Sequence, residues 1–174
     1  MPKSFQQKLK ILYLMRVFAE KTDEAHPMSV KDLIAYLENF GIHAERKTIY
    51  DDIETLRVFG MDIMNRRERP SGFYLASREF EVAELKLLVD AVQSSRFLTT
   101  GKSRQLIQKL ESLTSIYQAK DLQRQVIVQN RVKNTNENIY YNIDEIHRAI
   151  SQNRQISFQY TEWTVSKERQ LKKG

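Results

Sequence analysis

The strongest constraint on the fold is a pair of helical patterns separated by a short turn that contains Gly41. The first pattern starts at Ser29, a favourable N-cap residue, with Asp32 three residues later, and this pair predicts a capping box. Its apolar residues repeat at the spacing of one buried helical face: Val30, Leu33, Ile34 and Leu37. The second pattern runs over residues 45–59 and stops at Gly60. Helix, turn and helix at this spacing predict a helix-turn-helix unit.

The hydrophobic period changes from that of a helix to that of a strand immediately after Gly60. Residues 61–65 alternate in polarity, residues 66–72 are rich in turn-forming residues, and residues 73–75 supply a returning strand. A hairpin directly after the second helix predicts a wing. An amphipathic helix precedes the unit, with an expected inner face of Leu9, Leu12, Tyr13 and Arg16. Residues 1–78 are therefore predicted to form a winged helix-turn-helix domain.

The region 79–138 is predicted to be a helical connecting or dimerisation region. Two apolar stripes predict a helical hairpin, with Ser103 as the N-cap of its second helix. The first stripe contains Leu85, Leu88 and Val92, and the second contains Leu106, Leu110 and Leu113. Residues 126–128 predict a strand, and the polar residues 133–138 predict a linker.

The region 139–174 is predicted to begin a small α/β unit. Asn142 and Glu145 predict a capping box for a helix that stops at Asn153. The alternation of Ile156, Phe158 and Tyr160 with polar residues then predicts a half-buried strand, and a second strand begins near the C-terminus. Because a helix and one and a half strands cannot bury their apolar faces alone, we expect this unit to be incomplete. The predicted fold class is mainly α with small β.

The second helix of the helix-turn-helix unit carries the first group of candidate site residues. At about 100° per residue, Ile49, Ile53 and Leu56 fall on one side, which predicts the buried face. The exposed or flanking side chains in its first turns suit contacts with base edges and phosphates: Arg46, Lys47, Thr48, Tyr50 and Asp51. A carboxylate such as that of Asp51 is repelled by phosphate, but it can accept a hydrogen bond from a cytosine amino group. The alternative is an ordinary solvated helix face.

The hairpin tip carries the second group of candidate residues, Arg66, Arg67 and Arg69. Three cations on one loop can hold phosphates or enter a minor groove. The alternative is a charged, soluble turn. The position of the tip directly after the helix-turn-helix unit favours contact with double-stranded DNA.

Composition excludes several other classes of function. The chain has no cysteine, which excludes disulfides and thiolate metal sites, and its net charge is +6. The three histidines share no ligand spacing, and no cofactor motif is present, so we predict no metal site, no cofactor and no enzyme activity. No apolar run is long enough for a transmembrane helix and no signal peptide precedes the first helix, which favours a cytoplasmic protein without membrane contact.

Five segments together resemble bacterial WYL-domain transcriptional regulators, which carry a DeoR-like winged helix-turn-helix. These are residues 46–56, 59–63, 72–75, 84–92 and 155–160, with RKTIYDDIETL and GFYL as the most specific of them. The resemblance implies a sequence-specific, DNA-binding regulator of transcription with a WYL sensor domain of Sm-like fold that begins in region 139–174. Many members of the family carry a basic residue where this chain has Asp51.

The resemblance also implies that most of the sensor domain follows the point where this sequence ends, since Trp163 is not part of the Trp-Tyr-Leu motif. We therefore expect the effector pocket to lie outside this chain, with an effector that the sequence does not identify. Paired half-sites predict a homodimer built from residues 80–174, and the alternative is a monomer in which this half folds back on the winged helix. The alternative function is a winged-helix module for protein interaction or dimerisation without DNA binding.

Overall fold

Helices dominate the chain because apolar residues recur at helical spacing along most of its length. A computed structural model describes residues 3–125, 138–165 and 169–171. Within those residues the helices are α1 (Lys3–Lys21), α2 (Val30–Glu38), α3 (Arg46–Phe59), α4 (Val82–Ser94), α5 (Thr100–Glu111), α6 (Ile116–Gln125) and α7 (Ile139–Ser151). The strands are β1 (Ile63–Arg66), β2 (Gly72–Leu75), β3 (Thr161–Trp163) and β4 (Arg169–Leu171). The prediction of a mainly α fold with small β elements is confirmed.

The first three helices and the first hairpin share one hydrophobic core. Its buried members are Leu14, Val17, Phe18, Val30, Leu33, Tyr36, Leu37, Ile42, Ile49, Ile53, Leu56, Ile63 and Phe73. The predicted inner face of α3 is confirmed, because its three apolar residues are all buried in this core. That burial fixes the rotation of α3 and leaves the opposite side of the helix in solvent.

The ends of α2 and α3 follow the predicted local chemistry. The Ser29 amide donates to Asp32 Oδ2 at 2.9 Å, and the Asp32 amide donates to Ser29 Oγ at 3.3 Å, which confirms the capping box. Gly60 ends α3 with a φ of 110° and donates its N–H to the carbonyl of Arg57 at 3.0 Å. Glycine is the residue that adopts such a left-handed conformation without steric cost.

The strands β1 and β2 form an antiparallel hairpin with Ile63 opposite Leu75 and Arg66 opposite Gly72. Met28 is joined to this hairpin by an isolated antiparallel bridge, in which it exchanges two backbone hydrogen bonds of 2.9 and 2.8 Å with Phe73. Ile63 and Phe73 point into the core. The hairpin is thereby attached to the residues that precede α2.

The predicted inner face of α1 is only partly correct. Leu9 and Tyr13 pack at the edge of the core, but Leu12 and Arg16 are exposed. Among the side chains of α1 that the structure describes, from residue 7 onward, those of Leu14, Val17 and Phe18 are fully buried. This helix is apolar on more than one side, so the spacing of its residues does not fix which side faces α2 and α3.

Between the first hairpin and residue 125, where this stretch of the described chain ends, three packed helices occur rather than two. Leu85 and Val89 of α4, Ile107 of α5 and Leu122 of α6 are buried. The sequence did not predict α6, and the predicted strand 126–128 lies outside the described residues. The predicted cap at Ser103 is wrong: the Thr99 hydroxyl accepts from the Lys102 amide at 3.1 Å, so α5 begins one turn earlier and Ser103 is buried within it.

Arg78 attaches this helical region to the end of α1. Its guanidinium donates to the carbonyl oxygens of Ala19 at 2.6 Å and Thr22 at 2.7 Å. These carbonyls lie at the C-terminal end of α1, where the last carbonyls of a helix have no helical N–H partner. Burial lowers the pKa of Arg78, and the nearby charge of Asp23 opposes that effect. An arginine stays charged even so, and a cation at a helix C-terminus is electrostatically favourable.

The last region differs from its prediction in two details. The helix α7 has Asn138 as its N-cap rather than Asn142, whose amide already donates within the helix to Asn138 at 3.0 Å. Asn153 has a φ of 50° just after the helix, as expected for a C-terminal stop. The predicted strand at 156–160 is wrong: those residues are exposed, and the pairing occurs instead between β3 and β4, with Thr161 opposite Leu171.

None of the helices in the described ranges is both long and apolar enough to cross a membrane.

Candidate nucleic-acid interface

The exposed side of α3 carries the first group of candidate residues. Ile49 lies in the core, so the side chains on the opposite side of the helix face outward. Arg46, Lys47, Tyr50 and Asp51 are exposed, and Thr48 is half-buried. The Thr48 hydroxyl donates to the Glu45 carbonyl at 2.8 Å, so its proton is used within the first turn while its lone pairs stay available.

Tyr50 connects the first turn of α3 to the hairpin. Its hydroxyl accepts from Arg46 Nη2 at 3.3 Å, and the guanidinium carbon lies 5.9 Å from the centre of its ring. On its other side the ring packs edge-on against Phe73, with centroids 6.0 Å apart. Arg46 is therefore held beside the hairpin, because the aromatic ring that supports it is itself fixed against the core.

The three hairpin arginines differ in their surroundings. Arg66 is half-buried, and its Nη1 donates to the Glu24 carbonyl at 2.7 Å. Arg67 and Arg69 are exposed at the tip. The structure thus brings Arg66 back towards the loop between α1 and α2 and leaves the other two side chains in solvent.

An open groove of about 520 Å³ lies between the N-terminal ends of α2 and α3 and the hairpin. Four cationic side chains line it: Lys31, Arg46, Arg66 and Arg67. The other polar residues along it are Ser29, Tyr50, Asn65 and Ser71, and its described lining contains no Asp or Glu. Such a cationic lining favours the binding of an anionic ligand.

Four of the predicted site residues lie around the same groove: Arg46, Tyr50, Arg66 and Arg67. Lys31 lines the groove too but was not predicted, because a lysine in the first turn of a helix is ordinary in sequence. The signal that could have identified it is the capping box at Ser29, which fixes the start of α2 and therefore the position of Lys31 at the mouth of the groove.

The acidic residues of α3 have separate roles. Asp51 is exposed, whereas the next residue, Asp52, forms an ion pair of 2.7 Å with Lys10 of α1. Glu54 forms an ion pair with Arg57, whose Nε also donates to the Ile63 carbonyl at 2.8 Å. Asp51 is thus the acidic side chain of the first turns of α3 that forms no ion pair with any described residue.

Across the described part of the chain, no three His, Asp or Glu side chains lie together where they could hold a metal ion. Comparisons with protein-family models, with curated proteins and with solved structures found no match to this chain. The resemblance to WYL-domain regulators stays a prediction from the sequence.

Proposed function

We propose that this chain is a sequence-specific DNA-binding regulator of transcription that carries out no enzyme reaction. Residues 1–78 form a winged helix-turn-helix domain, with α3 as the recognition helix and the β1–β2 hairpin as the wing. Residues 79–138 connect it to a unit that begins at 139 and that we assign to the WYL type. The observation that carries the proposal is the groove between α3 and the hairpin, which is lined by four cations and by no carboxylate in its described part.

The dimensions of α3 fit a major groove. Its 14 residues span about 21 Å, and a B-DNA major groove about 12 Å wide admits one helix. Lys47 and Asp51, on the exposed side of the first turns, would meet base edges. A lysine reads guanine acceptors and a carboxylate reads the cytosine amino group, so these two residues would supply sequence preference.

Phosphate contacts would come from the sides of the same surface. Arg46, held by Tyr50, lies on one side of α3 and would donate to a phosphate. The Thr48 hydroxyl already donates to Glu45, so only its lone pairs are available. Thr48 would therefore contact a hydrogen-bond donor directly, or DNA through a bridging water. Arg67 and Arg69 at the hairpin tip would contact the backbone or enter the minor groove. Arg66 would contact phosphate with the guanidinium donors that Glu24 does not use.

A mobility-shift titration on random-sequence duplex tests the proposal. The intact chain should shift the duplex at low salt and lose affinity steeply as salt rises, and Arg46→Ala should weaken the complex. Arg104→Ala, which removes an exposed arginine from α5, is the matched control and should bind like the wild type. A wild-type chain that gives no salt-sensitive shift would contradict DNA binding.

A second candidate function is a winged-helix platform that binds protein. Val58 and Phe59 at the C-terminal end of α3 favour it, because 90% and 75% of their surfaces are exposed. Exposed apolar side chains of this size mark interaction sites when they are contiguous. Replacement of both by serine should leave the DNA shift unchanged if α3 binds DNA through its first turns, and this variant therefore separates the two functions.

A further inference from the structure

The loop between α1 and α2, residues 22–29, is organised around the buried carboxylate of Asp23. Its Oδ1 atom accepts from the amides of Ala25 and His26, at 3.0 and 2.9 Å, and from His26 Nδ1 at 2.7 Å. Burial alone would raise the pKa of Asp23, but hydrogen bonds from Ser115 and His26 outweigh burial and hold the pKa below its ordinary value. The loop is therefore fixed by one ionised side chain.

The helix α6 and the residue directly before it contact this same loop at two points. The Ser115 hydroxyl, fully buried, donates to Asp23 Oδ2 at 2.5 Å and accepts from the Gln118 amide at 3.1 Å. The Tyr117 ring lies flat on the His26 ring, with centroids 3.6 Å apart and an interplanar angle of 6°. One hydroxyl thus caps the first turn of α6 and anchors the loop 92 residues earlier in the chain.

The opposite side of the loop contacts the hairpin. Glu24, the residue after Asp23, accepts the hydrogen bond from Arg66 at 2.7 Å through its carbonyl oxygen. Arg66 also lines an open groove of about 550 Å³ together with His26, Tyr117 and Lys120. The same arginine lines the basic groove beside α3. Arg66 therefore lies between α6 and the surface that we assign to DNA.

We infer that Asp23 and Ser115 are positioning residues for Arg66. The contact between the start of α6 and the loop would then set the affinity of the hairpin for DNA. This inference rests on the proposed function. The chain of contacts is short: Ser115 holds Asp23, Asp23 fixes the loop, and the Glu24 carbonyl holds the guanidinium. A movement of α6 that breaks the first contact releases Arg66 without any change in α3.

A double-mutant cycle on duplex binding tests the inference. Ser115→Ala should weaken binding between about two- and tenfold, the effect of one net hydrogen bond. The same substitution made in Arg66→Ala should cause no further loss, because its effect passes through Arg66. Ser112→Ala, an exposed serine of the same helical region, is the matched control. Equal losses in both backgrounds, or none in either, would overturn the inference.

Tyr117 provides a second, milder variant in case Ser115→Ala unfolds the chain. Tyr117→Ala removes the ring that lies on His26 and should weaken binding in the same Arg66-dependent way, whereas Tyr117→Phe keeps the stacked ring and should bind like the wild type. A loss of affinity in Tyr117→Phe equal to that in Tyr117→Ala would contradict a role for the stacking.

Hydrogen exchange without DNA separates the failure of this inference from the failure of DNA binding. Tyr117→Ala should speed exchange of the His26 amide and of the hairpin amides, while the amides of α3 keep their protection. Unchanged hairpin exchange in a variant whose loop amides do exchange faster would overturn the coupling. If the wild type binds no duplex, the proposed function fails, and the exchange result alone decides the coupling.

Discussion

The ammonium group of Lys10 lies 2.7 Å from Oδ2 of Asp52, in an ion pair that is almost enclosed between α1 and α3. The pair explains why two neighbouring acidic residues of α3 have different roles. Asp51 is exposed and can face a ligand, whereas Asp52 holds the helix against α1. The rotation of α3 that presents its first turns to solvent is thus set by apolar burial and by one ion pair.

Removal of one partner of this pair should destabilise the fold strongly. Asp52→Ala leaves the Lys10 ammonium buried without its counter-charge, and we expect a loss of about 3–5 kcal/mol in the free energy of unfolding. Asp51→Ala, the exposed neighbour, should change it by less than about 0.5 kcal/mol. Urea unfolding of the two variants measures both effects, and a similar result for the two would mean that the pair does not form.

Gly72 is required by a close approach of backbones and by its conformation. Its φ is +154°, and a Cβ there would lie 2.4 Å from the carbonyl carbon and oxygen of Met28. Gly72→Ala should therefore shift the hairpin off the residues that precede α2. Gly41→Ala is the control, because its φ is +69° but its surroundings are open, so only the backbone cost of about 1–2 kcal/mol applies.

Thermal unfolding compares the two glycine variants. We expect the larger loss of stability at Gly72, together with weaker DNA binding, because the hairpin carries three of the candidate DNA-binding residues. A loss at Gly72 no greater than that at Gly41 would show that the hairpin does not approach Met28 as described.

Asp23 should make the stability of the chain depend on pH in acid. Its pKa in the folded state is below the ordinary value of about 3.9, so its stabilising contribution is complete above that pH. The contribution is lost as the pH falls from about 4 through the lower folded-state pKa, where the carboxyl becomes protonated. Stability should fall over that window in the wild type and fall less steeply in Asp23→Asn. Urea unfolding at several acid pH values measures the free energy of unfolding of both proteins. An equal decrease of that free energy with falling pH in the wild type and in Asp23→Asn would contradict this account.

We propose that the DNA-binding form is a homodimer assembled through residues 80–174. Apolar side chains in this part are exposed, including Leu87 at 71% and Phe97 at 63%, as are Ile150 and Tyr160. A two-fold dimer would place two recognition helices about 34–36 Å apart for paired half-sites. Light scattering at micromolar concentration should give twice the chain mass, and a monomer at that concentration would contradict this assembly.

The sequence predicted those parts of the fold whose local chemistry and packing agree. Ser29 with Asp32 indicated the start of α2, Gly60 indicated the end of α3, and Ile53 indicated the buried face of α3. In each case the residues combine a strong local preference with a place beside or within the core, so sequence and tertiary structure favour the same arrangement.

The parts that the sequence did not predict depend on contacts between distant residues. The rotation of α1 depends on which of its apolar sides meets α2, and the start of α5 depends on Thr99 rather than Ser103. No pattern indicated that Arg66 would reach Glu24, because that contact joins residues 42 apart through a backbone carbonyl. Lys31 entered the site only because the hairpin folds across the start of α2.

The salt dependence of duplex binding tests the central proposal most directly. The logarithm of the association constant should fall linearly with the logarithm of salt concentration, and Arg67→Ala/Arg69→Ala should flatten the slope by about 0.9 for each phosphate that the hairpin no longer neutralises. Arg96→Ala/Arg104→Ala removes two exposed arginines of the connecting region and should keep the wild-type slope. Equal slopes for the hairpin variant and the wild type would remove Arg67 and Arg69 from the interface, and wild-type binding that does not depend on salt would contradict DNA binding itself.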